Sequence, residues 1–209
     1  MKKVQSFVCG PLENNVYIIF DEKTRLGIVI DPSFETEIIS EFILSNQITI
    51  QKILITHAHF DHYIGVPSLM NQFSSIQSVC LNNADLDLWK TGGGMKKFMH
   101  DDLQVTAPLQ FIADHEKIEL DEVSIEARAT PGHSSGSLTY YCQKLNCAFV
   151  GDAVFFHSIG RTDLDGGDQD QLIQSIHQHI LSLPAETILY PGHGPATTVA
   201  EERINNPFL

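Results

Sequence analysis

The chain has 209 residues and 43% hydrophobic content, enough for one compact domain with a sizeable core. Thirteen Lys+Arg against 26 Asp+Glu give a formal charge of −13, which argues against a phosphate-tracking surface and sets nucleic acid aside as a partner. No apolar run approaches the roughly 18 residues of a membrane span, and no apolar signal core follows Met1-Lys2-Lys3-Val4-Gln5-Ser6, so a cytoplasmic protein without a membrane partner is expected.

Short strand-like segments alternate with helical ones. Strands are expected at residues 4–8, 16–20, 27–30, 52–55, 78–81, 123–127, 138–142, 147–150 and 187–190, many of them bounded by Gly, Pro, Asn or Asp. Apolar stripes at Ile38, Ile39, Phe42 and Ile43, and at Leu172, Ile173, Ile176 and Ile180, predict two helices lying on a sheet. Asp168 is the expected N-cap of the second, with Gln171 three positions on and Pro184 beyond its end. The Gly-rich stretch 91–100 reads either as a hinge near a site or as a surface connection whose Met and Phe cap the core. Cys9, Cys80, Cys142 and Cys147 form no CxxC and are read as reduced thiols, the last two able to face one another across a hairpin. With no linker, repeat or composition shift, residues 1–209 are read as a single strand-rich α/β domain.

The strongest chemical signal follows the strand at 52–55: Thr56-His57-Ala58-His59-Phe60-Asp61-His62. A chance HxHxDH is expected on the order of one or two times in a thousand such chains. Imidazole nitrogen and carboxylate oxygen suit zinc and other borderline divalent ions, and alternating His57, His59 and Asp61 can face one side of an extended loop while His62 turns differently. Four ligand-type residues in six positions exceed the need of one tetrahedral ion with an open site, so a two-ion centre follows. Gly65 and Pro67 argue against a continuous helix, and hence against a helical HExxH zinc protease.

Three later segments, Thr130-Pro131-Gly132-His133-Ser134, Val150-Gly151-Asp152-Ala153 and Tyr190-Pro191-Gly192-His193-Gly194, share one syntax. In each, a strand-like segment runs into a tight turn carrying one possible ligand. His133, Asp152 and His193 therefore stand at strand ends, where loops converge on a concave site. Scattered polar turn residues would account for each singly but not for their recurrence.

Together, HxHxDH at 57–62, PGH at 131–133, GD at 151–152 and PGHG at 191–194 resemble the metallo-β-lactamase-fold hydrolases, and within them the glyoxalase II-like (hydroxyacylglutathione hydrolase-like) group. Ser158-Ile159-Gly160-Arg161-Thr162-Asp163-Leu164 with Gly166-Gly167-Asp168 resembles a compact bacterial subgroup, and Asn15-Val16-Tyr17 an early strand of the family. The resemblance implies a four-layer αβ/βα sandwich with a dinuclear site along one edge of the two sheets. It implies that His57, His59 and His133 hold one ion, that Asp61, His62 and His193 hold the other, and that Asp152 bridges them, with Asp61 and Asp152 the expected catalytic carboxylates. Two divalent ions are expected, Zn first, with Fe or Mn as alternatives. Arg161 is a candidate for orienting an anionic substrate, with an ion pair to a nearby aspartate as the competing reading. With 16 residues after His193, the C-terminal helical region with which longer glyoxalase II enzymes bind glutathione is not expected in residues 1–209.

The implied activity is hydrolysis of a small-molecule thioester such as S-(2-hydroxyacyl)glutathione by a metal-activated bridging hydroxide. The alternatives are a mononuclear-iron persulfide dioxygenase, or a lactonase on the same centre. A zinc β-lactamase is less attractive, because those enzymes commonly lack the full ligand pattern and are exported. The other histidines are read as bystanders. His177 and His179 lie about 200° apart on a helix and are expected to be solvated, while His100, His115 and His157 are expected at the surface or hydrogen-bonded, with His157 within possible reach of the site.

Overall fold

A computed structural model describes residues 2–99 and 103–209 of the chain. Its first sheet runs β1 (Lys2–Cys9), β2 (Asn14–Asp21), β3 (Leu26–Ile30), β4 (Thr49–Leu54), β5 (Ser78–Leu81) and β6 (Leu109–Phe111) in spatial order, antiparallel up to β3 and parallel beyond it. The second contains β7 (Lys117–Leu120), β8 (Val123–Ala129), β9 (Leu138–Cys142), β10 (Cys147–Gly151), β13 (Ile188–Pro191) and β14 (Thr197–Thr198), in the order β14-β13-β10-β9-β8-β7. A two-stranded ribbon, β11 (Val154–Phe155) with β12 (Ser158–Ile159), stands outside both sheets.

Strand alternation explains the layering. Tyr17 and Ile19 of β2 point into a core shared with Tyr140 of β9 and Phe149 of β10, so the two sheets pack face to face. Val16, Ile18 and Phe20 of the same strand face the opposite way, against Ile39 and Ile43 of α1 (Thr36–Ser45) and Leu69 of α2 (Val66–Gln72), while two short helices, α3 (Leu86–Lys90) and α4 (Met95–Met99), follow β5. On the far side of the second sheet, Ala148, Val150 and Leu189 pack on Leu172 of α5 (Gln169–Ser175), on Ile176 and Ile180 beyond it, and on Val199 of α6 (Val199–Asn205). Each central strand is buried on both faces, which is why β2 and β10 read as continuous apolar runs. The result is the four-layer αβ/βα sandwich.

All nine expected strands are present, those at 78–81 and 138–142 with the expected bounds and the others with shifted ends; Thr187 lies outside β13. β6 and β7 gave no signal because the first is three residues long and the second is a four-residue edge strand. In α1 the core face is Ile39 and Ile43, whereas Ile38 is 49% exposed, one residue's rotation away from the buried stripe. The Asp168 cap forms, accepting from Gln171 N at 3.0 Å, and α5 runs on into a wider turn at Ile176–Ile180, closed by Leu181 N donating to Ile176 O. Cys142 and Cys147 face one another across the β9–β10 hairpin as free thiols.

The loops after β3, β4, β5, β8, β10 and β13 and the start of β2 carry the chemically interesting residues. This is the carboxyl-end edge of the parallel strands, where open sheets with parallel strands generally present their ligand sites.

Candidate metal centre

His57 and His59 leave β4 in an extended loop, and a single 3-10 turn at Phe60–His62 swings Asp61 and His62 to the other side. The tight turn after β8 brings His133 in, so that its Nε2 lies 3.1 Å from His57 Nε2 and 2.9 Å from His59 Nδ1. Asp61 Oδ2 lies 3.4 Å from His193 Nε2 and 3.6 Å from His62 Nε2. Between the two sets stands Asp152, with Oδ1 at 3.4 Å from His62 Nε2 and Oδ2 at 3.6 Å from His133 Nε2 and 3.7 Å from His193 Nε2. All seven residues expected from the sequence converge on one cleft edge.

The Gly residues of the turn motifs are there for room. A Cβ on Gly192 would run into Asp152 Oδ1 and the His62 ring, and Gly151, at φ +51°, lies against the Thr56 side chain.

The imidazoles are held by their outer nitrogens. His62 Nδ1–H donates to Asp31 Oδ2 at 3.0 Å, His133 Nδ1–H to the Arg161 carbonyl at 2.7 Å, and His193 Nδ1–H to the Leu12 carbonyl at 2.9 Å. His57 Nδ1 lies 3.1 Å from Thr56 Oγ1, whose proton goes to Asp31 Oδ2. Each of these four rings thereby turns Nε2 inward, the tautomer a metal ligand needs.

The donor set fits a divalent cation. His62 Nε2 and Asp152 Oδ1 are buried without a hydrogen-bond partner. Three imidazole nitrogens, of His57, His59 and His133, crowd together within hydrogen-bonding distance, with His133 Nε2 shared between the other two. A tetrahedral ion bonded at about 2.1 Å spaces its ligands by roughly 3.4 Å, the scale of the contacts above. These residues form a His/Asp metal-binding cluster, in which His57, His59 and His133 group together, as do Asp61, His62 and His193, and His57, His62 and Asp152.

Electrostatics separates the groups. Burial pushes the His57 imidazole down, and burial together with His133 pushes His59 down to about 4. Burial opposes a charge on His62, but Asp152, Asp61 and Asp31 outweigh it and lift the imidazole to about 10. Burial likewise opposes ionisation of Asp61, yet His62, His193 and the Asn14 amide hold its carboxyl well below the usual range.

Three supporting residues carried no sequence signal. Asp31 also accepts from Thr56 N. Asp85 accepts from Ala58 N, Ser134 Oγ and Gly136 N, tying the His57–His59 loop to the His133 loop. Asn14 Nδ2 donates to Asp61 Oδ2 at 2.8 Å. Asn15 and Tyr17 hold the 191–194 turn, donating to the Pro191 carbonyl from Nδ2 and from the hydroxyl.

The remaining candidates are placed differently. Arg161 lines the cleft, but its guanidinium is engaged in two 2.7 Å bonds with Asp163, the competing reading of that residue. His157 binds Glu201 at 2.7 Å and is not among the cleft-lining residues. His177 is exposed as expected; His179 is half-buried, its ring near that of His115, because the Ile176–Ile180 turn carries it inward. Gly93 of the Gly-rich stretch packs on the metal loop, its carbonyl accepting from Phe60 N, while His100 lies outside the described residues.

The chain belongs to the metallo-beta-lactamase superfamily, whose model matches residues 9–193. It is a metallo-hydrolase of that superfamily. "Probable metallo-hydrolase YqgX" of Bacillus subtilis is 34% identical over 96% of this chain and 94% of its own length. "Hydroxyacylglutathione hydrolase GloC" of Haemophilus influenzae is 31% identical over 94% and 93%. Among solved structures, BLEG-1 B3 metallo-beta-lactamase superposes with a TM-score of 0.93 at 34% identity, covering 99% of both chains. TTHA1623 in a di-iron-bound form gives 0.86 at 32%, covering 98% of this chain and all of that one. ETHE1 from Myxococcus xanthus gives 0.81 at 25%, covering 98% and 83%.

Proposed function

We propose that residues 1–209 form a single-domain, glyoxalase II-like thioester hydrolase with two divalent ions, zinc first, acting on a small 2-hydroxyacyl thioester. The observation that carries this reading is the pair of three-residue sets on either side of Asp152. The likeness to GloC supports the substrate class, and the di-iron form of TTHA1623 supports a two-ion centre.

His57, His59 and His133 would hold one ion, Asp61, His62 and His193 the other, and Asp152 both. Bound there, the ions would supply a water of lowered pKa and polarise a carbonyl. The chain's own part is positional. Asp31, Thr56 and the carbonyls of Arg161 and Leu12 fix the imidazole tautomers, Asn14 orients Asp61, and Leu12, Phe60 and Leu164 wall the cleft with carbon and limit bulk water. A thiol of pKa about 8.5 leaves as thiolate without a proton donor, which matches a cleft whose ionisable groups are largely committed to the metal cluster.

The test supplies purified, metal-loaded protein with S-lactoylglutathione under anaerobic conditions and follows thiol release. Parallel arms hold glutathione persulfide in air, a lactone and a β-lactam. The persulfide arm tests the dioxygenase reading, for which the ETHE1 likeness is the specific observation, and the β-lactam arm answers to BLEG-1. Thiol release without oxygen supports the proposal; oxygen uptake with persulfide, and no thioester cleavage, replaces it.

A further inference from the structure

The metal cleft does not end at His193. On one side of that imidazole lies the cleft proper, about 230 Å³, walled by Leu12, Phe60 and Leu164. On the other lies a groove of about 480 Å³ lined by Phe155, Phe156, Gly194 and Pro195, with His193 common to both. Phe155 stands edge-on to His193 at 6.2 Å between ring centres.

Phe156 forms the tip of the β11–β12 ribbon and is 46% exposed, so that nearly half of a large apolar side chain stays in water. It is nevertheless held in place. Its ring stacks on His157 at 3.9 Å between centres, and His157 adopts a left-handed φ of +57°. His157 is clamped to α6 twice: its Nε2 lies 2.7 Å from Glu201 Oε1, and its N donates to the buried Glu202 Oε2 at 3.0 Å. Asn206 Nδ2 donates to the Ser158 carbonyl on the same ribbon. A strained residue fixed by two carboxylates, holding an exposed aromatic beside a metal ligand, has the form of a preorganised binding platform.

The charges near the cleft indicate what the platform takes. Arg161 is bound bidentately by Asp163, and Lys97 is paired with Asp165 at 2.7 Å. The groove's lining contains no lysine or arginine. A substrate arm bearing carboxylates, such as the glutathione moiety, would meet no unpaired cation among the cleft and groove lining residues, in a chain of net charge −13.

We infer that Phe155, Phe156 and Pro195 form a subsite for an uncharged aromatic or branched apolar arm of the substrate, so that the preferred thioesters are neutral and apolar rather than glutathione conjugates. This rests on the thioester reading and sharpens it.

The test compares the lactoyl thioesters of benzyl mercaptan and of glutathione on the zinc-loaded chain. It also measures binding of S-benzyl thioether analogues, neutral and glutathione-borne, by saturation-transfer NMR on zinc-loaded and metal-free protein. Wild type should favour the benzyl thioester at least tenfold in kcat/KM. Phe156→Ser should lower that value at least fivefold, chiefly through KM, and reduce the preference, whereas Phe156→Leu should restore most of it. Equal or better use of the glutathione thioester, or an equal proportional loss on both substrates in Phe156→Ser, overturns the subsite. If neither thioester is cleaved, the hydrolase reading falls. The NMR then decides the subsite: neutral benzyl binding weakened by Phe156→Ser upholds it, and no such binding removes it.

Discussion

Asp31 and His62, at the ends of different loops, meet with carboxylate Oδ2 and imidazole Nδ1 3.0 Å apart, both side chains buried. The same carboxylate accepts from Thr56 N and Thr56 Oγ1, so one residue outside the seven-residue cluster fixes both the start of the loop after β4 and the ring at its far end. Asp31→Ala is expected to weaken metal binding by about 10- to 100-fold and to lower stability by roughly 1–3 kcal/mol through the donors left unpaired. Chelator competition and urea unfolding measure the two effects separately; unchanged metal affinity would contradict the orienting role.

Asp152→Ala is expected to abolish most turnover while leaving the folded chain, because the carboxylate stands between the two ligand sets. Metal content, circular dichroism and activity are to be measured on one preparation. Wild-type turnover at reduced metal content contradicts the bridging role.

Asp85→Ala should act on stability and on the alignment of two loops. Ala58 N, Ser134 Oγ and Gly136 N all donate to this buried carboxylate, and orphaning them costs about 3 kcal/mol in total. Urea unfolding with and without zinc checks this: the metal-free loss should be the larger one expressed as a fraction of total stability, and a variant unfolding like wild type in both conditions refutes it.

Ion binding should depend on pH more steeply at the set holding His62 than at the set holding His57 and His59. Near neutral pH His57, lowered by burial, and His59, at about 4, are already uncharged, whereas His62, at about 10, must lose a proton to bind. One binding event should therefore release a proton, with affinity rising as pH climbs toward 10. Because His62 is raised from an unfolded value of about 6.5, its contribution to metal-free stability is full below that pH and is lost as pH passes through 10. Calorimetric titration in two buffers of different protonation enthalpy separates the events; equal proton release at both would refute the asymmetry.

The seven clustered residues were legible because they stand in short motifs, and in the three later ones a Gly makes room for a neighbour, as Gly192 does for Asp152. The layering was legible from continuous apolar strands such as β2. Asp31, Asp85 and Asn14 were not, since their partners lie 25 to 51 residues away and the pairing exists only once the loops have met. For Arg161 the sequence left a substrate contact and an aspartate pair open; the guanidinium is bound to Asp163 two residues along, while the backbone carbonyl, which no side-chain pattern signals, holds His133.

The most direct measurement is anaerobic cleavage of a 2-hydroxyacyl thioester followed as zinc is titrated into metal-free protein. The account predicts thiol release that rises with added ion and reaches its plateau at about two equivalents per chain, as expected for a centre sharing one bridging carboxylate. A plateau at one equivalent, or no thiol release at any loading, would contradict it.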